Sequence, residues 1–223
     1  ERLEGMVAAT VTPMDENGDV NLSVIDKYAD WIASTPIKGV FVCGTTGEFS
    51  SLTIDERKLI LEKWLVSARK RFKVIAHVGS NCQRSAMELA RHAAQVGADA
   101  IASIAPSFFK PGTVDELVDF FAPICHSAAG LPFYYYNMPS ITGVNLPVDK
   151  FLVEGKKKIP NLVGTKFTHN NLMEMGVCIE LEQHRFEVLH GYDEILISGL
   201  AMGAVAGVGS TYNYIPNVYQ AIF

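Results

Sequence analysis

The 223-residue chain has no apolar run near the roughly 18 residues that a membrane-crossing helix needs, and no charged leader ahead of an apolar stretch. Its four cysteines, Cys43, Cys82, Cys125 and Cys178, lie far apart without a C-x-x-C pair. They are expected to be reduced thiols of a cytoplasmic protein. Neither sign of charge forms a long block: 19 basic residues face 24 acidic ones. No basic stripe with interleaved aromatics appears, so nucleic acid is excluded as a partner, and so is the membrane. The six histidines form no H-x-x-x-H or H-E-x-x-H pattern, so no metal is expected. A G-x-S-x-G elbow, a P-loop and a G-x-G-x-x-G after the first strand are all missing. There is no linker or low-complexity tract either, so residues 1–223 are expected to form a single domain. The chain opens on Glu1 rather than Met, which suggests a trimmed N-terminus.

What is present is a repeating unit. Apolar strand-like runs begin at Gly5, Gly39, Lys73, Ala100, Pro132, Leu162, Phe186 and Ala204, and each is followed by a helical pattern. Capping boxes are predicted at Thr53-x-x-Glu56, Ser85-x-x-Glu88 and Thr113-x-x-Glu116. Behind the first of these, Ile60, Leu61, Trp64, Leu65 and Ala68 recur at helical spacing. Strands flanked by helices imply a parallel sheet, and an eight-fold alternation favours closure into a (β/α)₈ TIM barrel over an open doubly wound sheet.

In such a barrel the chemistry sits at the C-terminal ends of the strands. Leu162-Val-Gly-Thr-Lys166-Phe-Thr168 places a lysine near the end of a buried strand, with Gly164, Lys166 and Thr168 on one face. A desolvated lysine tends to lose its proton, and its free amine can attack a carbonyl to form a Schiff base. The plainer alternative is a strand-end lysine reaching to water. After the second strand, Gly44-Thr45-Thr46-Gly47-Glu48 offers two hydroxyls and open backbone amides to a small carboxylate, or else is a tight turn with local bonds. Tyr136 could relay a proton, or be a core tyrosine; Tyr134 is assigned to packing and Tyr135 to the helix side. Asp193 and Glu194 are either helix-capping carboxylates or ligands for the hydroxyls of a polyol.

Gly44-Thr-Thr-Gly-Glu48, Tyr136-Asn-Met-Pro-Ser-Ile-Thr-Gly143 and Gly164-Thr-Lys-Phe-Thr168 together resemble the motifs of the pyruvate-dependent class I aldolase family. That family includes dihydrodipicolinate synthases and N-acetylneuraminate lyases. The resemblance implies a barrel, usually a homotetramer, with pyruvate held on the lysine and no cofactor beyond that covalent Schiff base. By position, Lys166 is the Schiff-base lysine, Tyr136 the proton-relaying tyrosine, and Thr45 and Thr46 the holders of the pyruvate carboxylate. Synthases carry an arginine where this chain has Ile141, so the lyase branch is expected. On that branch Thr168, Gly191, Asp193, Glu194 and Ser210 contact the hydroxyl-bearing tail of a keto sugar acid. The expected reaction is retro-aldol cleavage of N-acetylneuraminate to N-acetylmannosamine and pyruvate. The alternatives are an aldolase for a shorter 2-keto-3-deoxy sugar acid and a catalytically silent, truncated ligand-binding barrel. Two departures from the family pattern stand out. Ser107-Phe108-Phe109 lacks a tyrosine hydroxyl that lyases often carry, and the family's C-terminal helical extension is expected to be absent after Phe223.

Overall fold

The computed structural model describes residues 2–223. In chain order the elements are β1 (Gly5–Ala9), α1 (Val24–Ala33), β2 (Gly39–Val42), α2 (Ile54–Ala68), β3 (Lys73–His77), α3 (Gln83–Val96), β4 (Ala100–Ile104) and α4 (Val114–His126). There follow β5 (Phe133–Asn137), α5 (Pro139–Thr142), α6 (Val148–Lys158), β6 (Leu162–Phe167), α7 (Leu172–Glu180), β7 (Glu187–His190), α8 (Leu196–Ala201), β8 (Ala206–Gly209) and α9 (Pro216–Gln220). Each strand pairs in parallel with the next, and β8 pairs with β1, so the sheet closes into the eight-stranded barrel expected from the alternation. Among the described residues no helix is long and apolar enough to cross a membrane.

Strand alternation divides the buried side chains into two compartments. Met6, Val40, Ile101 and Tyr135 face outward and pack under Ile25, Trp64, Phe121 and Phe151 of the helices. Val7, Phe41, Ile75, Ile104, Tyr134 and Tyr136 point inward and fill the barrel. Tyr135 lies 4.6 Å from Phe151, ring to ring, on the helix side as the alternation requires.

The capping boxes at Thr53 and Thr113 both form, each satisfying orphan amides at a helix start. The box expected at Ser85 does not. Helix α3 starts at Gln83 with Cys82 as its N-cap, which leaves Ser85 inside the first turn and frees Glu88 to pair with Lys58. The strands are also shorter than their apolar runs. β1 ends at Ala9 rather than Pro13, because the residues beyond it leave the sheet to form the mouth.

One irregularity governs the lysine. Between β5 and β6 the register runs Phe133 to Leu162 and then Tyr134 to Gly164, so Val163 is skipped. Because side chains alternate with a period of two, a one-residue skip turns the rest of β6 over. Leu162 therefore packs against helices while Gly164 and Lys166 face the interior, level with Tyr134 and Tyr136. Gly164 is obligatory at the skip, since a Cβ there would sit 1.9 Å from the Glu187 carbonyl oxygen on β7. Gly164→Ala is thus expected to destabilise the fold by about 3 kcal/mol or more, as backbone overlap in a core cannot be relieved by a rotamer change. Thermal unfolding beside the parent protein checks this, and an unchanged melting midpoint would refute the obligatory role of Gly164.

Candidate active site

Lys166 is 4% exposed, one residue from the C-terminal end of β6. Its Nζ lies 3.9 Å from the centre of the Tyr136 ring and 4.4 Å from that of Phe41. Among the described residues it forms no salt bridge. Two aromatic faces therefore surround the amine where a carboxylate would otherwise hold it as a structural ion pair. The Tyr136 hydroxyl, on the neighbouring strand, is 3.0 Å from Thr45 Oγ1 and donates to Met138 Sδ at 3.1 Å. Lysine, phenol and threonine alcohol thus meet at one level of the barrel mouth.

The turn that carries Thr45 is bent at both ends. Cys43 and Glu48, neither of them glycine, adopt left-handed backbone angles with φ of 55° and 56°. Such positions cost of order 1 kcal/mol each and persist only where neighbours over-determine them. Here Thr12 Oγ1 donates to the Gly47 carbonyl at 2.7 Å, and Glu48 N donates to the Thr45 carbonyl at 3.0 Å. A Cβ on Gly44 would come within 2.8 Å of the Phe41 ring, so the backbone passes close over that side chain. Among the described residues the amides of Thr45 and Thr46 donate to no backbone carbonyl. A strained turn with open amides and two hydroxyls is a natural cradle for an anion.

Across the mouth, Thr168 Oγ1 is buried without a partner, and Gly191 lies so close that a Cβ there would be 2.0 Å from it. Asp193 is buried, and its Oδ2 accepts from the Thr211 amide at 2.8 Å and from the Thr211 hydroxyl. One of its oxygens therefore ties the loop after β7 to the loop after β8. Glu194 is exposed. Its own backbone amide favours the charged form, but partial burial and the adjacent Asp193 carboxylate outweigh this and raise its pKa. Ser210 is half-buried, its carbonyl accepting from Asn213 Nδ2 at 2.8 Å. The same Asn213 nitrogen reaches the Ala9 carbonyl at 2.7 Å, while Asn213 accepts from Tyr28 and Trp31 of α1. Every sequence-predicted site residue thus lies on a strand end or loop at the C-terminal mouth. Thr168, Gly191, Asp193, Glu194 and Ser210 line the side served by β6 to β8, and Thr45 and Thr46 the side served by β2.

Tyr134 lies deeper, as assigned: its hydroxyl donates to Glu187 at 2.7 Å, and burial with that carboxylate pushes the phenol pKa up. It closes the floor of the barrel. A hollow of about 660 Å³ beneath it, lined by Lys38, Lys73 and Tyr134 among others, opens at the opposite face, away from Lys166. At the mouth, a cavity of about 190 Å³ borders Thr45, Asn81, Ser107 and Ile141. No cluster of three metal-ligating side chains occurs among the described residues.

Several residues at the site were not anticipated. Met138 presents its sulfur to the Tyr136 hydroxyl, and Asn81 Oδ1 accepts from the Ser107 amide at 2.7 Å, joining two loops of the mouth. His77 lies inside the barrel beside Tyr136, with ring centres 5.7 Å apart. Its inward direction follows from the alternation in β3, but its partners do not. The Ile104 amide donates to His77 Nε2 at 3.3 Å, which leaves Nδ1 to donate to the Cys43 carbonyl at 2.7 Å. Burial, then the charges of Arg57 and Lys166, hold the imidazole well below its ordinary pKa, against the opposing effect of the bond to Cys43. His190, pushed down by burial, acts in the same direction. The unfolded chain gains a proton at His77 as pH falls through about 6.5 while the folded chain does not, so stability present above that pH is lost below it. The melting midpoint is expected to fall between pH 7.5 and 5.5, His77 alone adding a slope approaching about 1.4 kcal/mol per pH unit. His77→Gln, which keeps a donor for the Cys43 carbonyl, should flatten that decline; an equally steep profile in the variant would contradict the assignment.

The chain is similar to known proteins along nearly its whole length. N-acetylneuraminate lyase of Homo sapiens is 45% identical over 218 residues, which cover 96% of this chain and 68% of that protein. The solved N-acetylneuraminate lyase of Proteus mirabilis superposes with a TM-score of 0.97 at 38% identity, covering 99% of this chain and 74% of that one. A structure of Ruminococcus gnavus sialic acid aldolase, described as a catalytic lysine mutant, gives a TM-score of 0.92 at 28% identity over 98% of this chain and 72% of its own. The profile of the dihydrodipicolinate synthetase family matches residues 2–223 throughout. Matched by this family over residues 2–223 and similar to these relatives over nearly its whole length, the chain belongs to the dihydrodipicolinate synthetase family.

Proposed function

We propose that this protein is a class I aldolase that cleaves N-acetylneuraminate to N-acetylmannosamine and pyruvate through a Schiff base on Lys166. The observation that carries the reading is the buried Lys166 amine against Tyr136, whose hydroxyl meets Thr45 at 3.0 Å. The names of the similar lyases and the apolar Ile141, 60% exposed at the mouth, favour the sialate-cleaving branch.

The reaction follows from the arrangement. The Lys166 amine attacks the keto carbon of the open-chain sugar acid, and loss of water leaves a protonated imine. Tyr136 takes the proton from the hydroxyl on the carbon that becomes the aldehyde, and the carbon–carbon bond breaks with its electrons drawn into the iminium. N-acetylmannosamine leaves; the enamine is protonated on carbon and hydrolysed, which releases pyruvate and restores the amine. Thr45 and Thr46 hold the carboxylate throughout. Thr168, Gly191, Asp193, Glu194 and Ser210 receive the hydroxyl-bearing tail. The lysine itself supplies the electron sink, so the chemistry needs no cofactor. One observation favours a shorter keto sugar acid as second reading: Asp193 already spends one oxygen on Thr211. In the cell we place the protein in the cytoplasm as a single-domain subunit of a homotetramer. Its cysteines support a reducing compartment, since all four are free thiols.

Borohydride added with pyruvate should fix a covalent adduct on Lys166, and Lys166→Ala should abolish it; an unmodified Lys166 peptide would refute the mechanism. Tyr136→Phe should lower kcat by roughly 10²- to 10⁴-fold, the range of a lost general acid–base group, while adduct formation persists.

A further inference from the structure

Behind the Thr45–Thr46 turn lies a cation that the reaction does not use directly. Arg57, in the first turns of α2, is 4% exposed and pairs with no carboxylate among the described residues. Its guanidinium donates to the His77 carbonyl at 2.7 Å and to the Gly79 carbonyl at 2.8 Å, while its Nε has no partner. Burial pushes its pKa down to about 10, opposed by the nearby Cys43 thiol, so the group stays charged at neutral pH. A buried charge facing only neutral acceptors is costly, and an opposite charge brought near it offsets that cost.

The contacts of Arg57 lead to the turn from both ends. At one end it borders the same small hollow as Cys43, whose carbonyl accepts from His77 Nδ1 and whose left-handed angle starts the turn. At the other it lies over the ring of Phe49, 5.4 Å from the centre, and that ring packs edge-on against His77 at 4.5 Å. Arg57, Phe49, His77 and Tyr136 form one continuous stack from α2 to the phenol beside Lys166. The stack tolerates no filling, because a Cβ on Gly79 would come within 2.6 Å of His77 Nε2.

We infer that Arg57 is a positioning residue for substrate carboxylate: its fork fixes the His77–Cys43 support of the turn, and its uncompensated charge is balanced when an α-keto carboxylate occupies the Thr45 and Thr46 amides. The role rests on the Schiff-base reading of Lys166 and deepens it, since it concerns carboxylate selection at that same site. Arg57 acts through the turn and from behind it, without touching the reacting atoms.

The experiment compares two ketones of similar size in borohydride trapping, pyruvate and the uncharged hydroxyacetone. In Arg57→Met the concentration of pyruvate needed for half-maximal trapping should rise tenfold or more, and that of hydroxyacetone less than twofold. KM for the keto sugar acid should rise with it, with kcat changed far less. Arg57→Lys keeps the charge without the two-pronged grip and should recover part of the pyruvate preference. Equal losses for both ketones would reduce Arg57 to a packing residue and overturn the inference, as would unchanged pyruvate trapping. Should Arg57→Met fail to fold, the same two-ketone ratio measured in Arg57→Lys decides. The parent protein separates the two readings: no trapping of it by pyruvate sinks the lysine mechanism itself, whereas normal trapping with an unaltered ketone ratio in the variants sinks only the role of Arg57.

Discussion

The geometry of the site depends on a single skipped residue. Had β5 and β6 paired without a break from Phe133 and Leu162, strict alternation would have sent Lys166 toward the helices. The skip at Val163 delivers it to the interior, and Gly164 allows β7 to close over the irregularity. The lysine then faces Tyr136 across the ladder as its direct partner. A nucleophile and a proton carrier are placed together by backbone pairing, which is far stiffer than any contact between two flexible side chains.

The opposite wall is built on a different principle. The turn of Cys43 to Glu48 holds two non-glycine residues in left-handed conformations, and its stability comes from groups elsewhere: Thr12 after β1, His77 on β3 and Arg57 on α2. Strain concentrated in the turn leaves amides unpaired where an anion can use them. The two walls are therefore complementary, one rigid through the sheet and one over-determined by its surroundings.

Much of this was legible in the sequence. Eight apolar runs between helical patterns give the barrel, and two of three capping boxes lie where S/T-x-x-E places them. Lys166 is conspicuous because a charged residue ends an otherwise apolar strand. What escaped detection shares one property: dependence on contacts between distant segments. The skip in β6 looks like ordinary alternation until β5 is laid beside it. Ser85 fits the capping pattern, yet the helix begins at Gln83. Arg57 precedes Ile60, Leu61 and Trp64 by three, four and seven residues, on the same helix face, but only the fold reveals the carbonyls of His77 and Gly79 that it meets. Asp193 has the residue type for sugar binding, but its bonds to Thr211 need the loops after β7 and β8 to be neighbours.

Asn213 clasps the seam where the ring shuts, holding the Ala9 carbonyl on one side and that of Ser210 on the other, with Tyr28 and Trp31 bonded to it from α1. Ala9 and Asn213 are separated by nearly the whole sequence, so the clasp cannot form until the last strand has been made. During synthesis the edge of β1 must wait unpaired while seven further strands emerge. Maturation of the binding mouth is thus a late, cooperative event, and vulnerability to misassembly is concentrated in the interval before the ends of the sheet find each other.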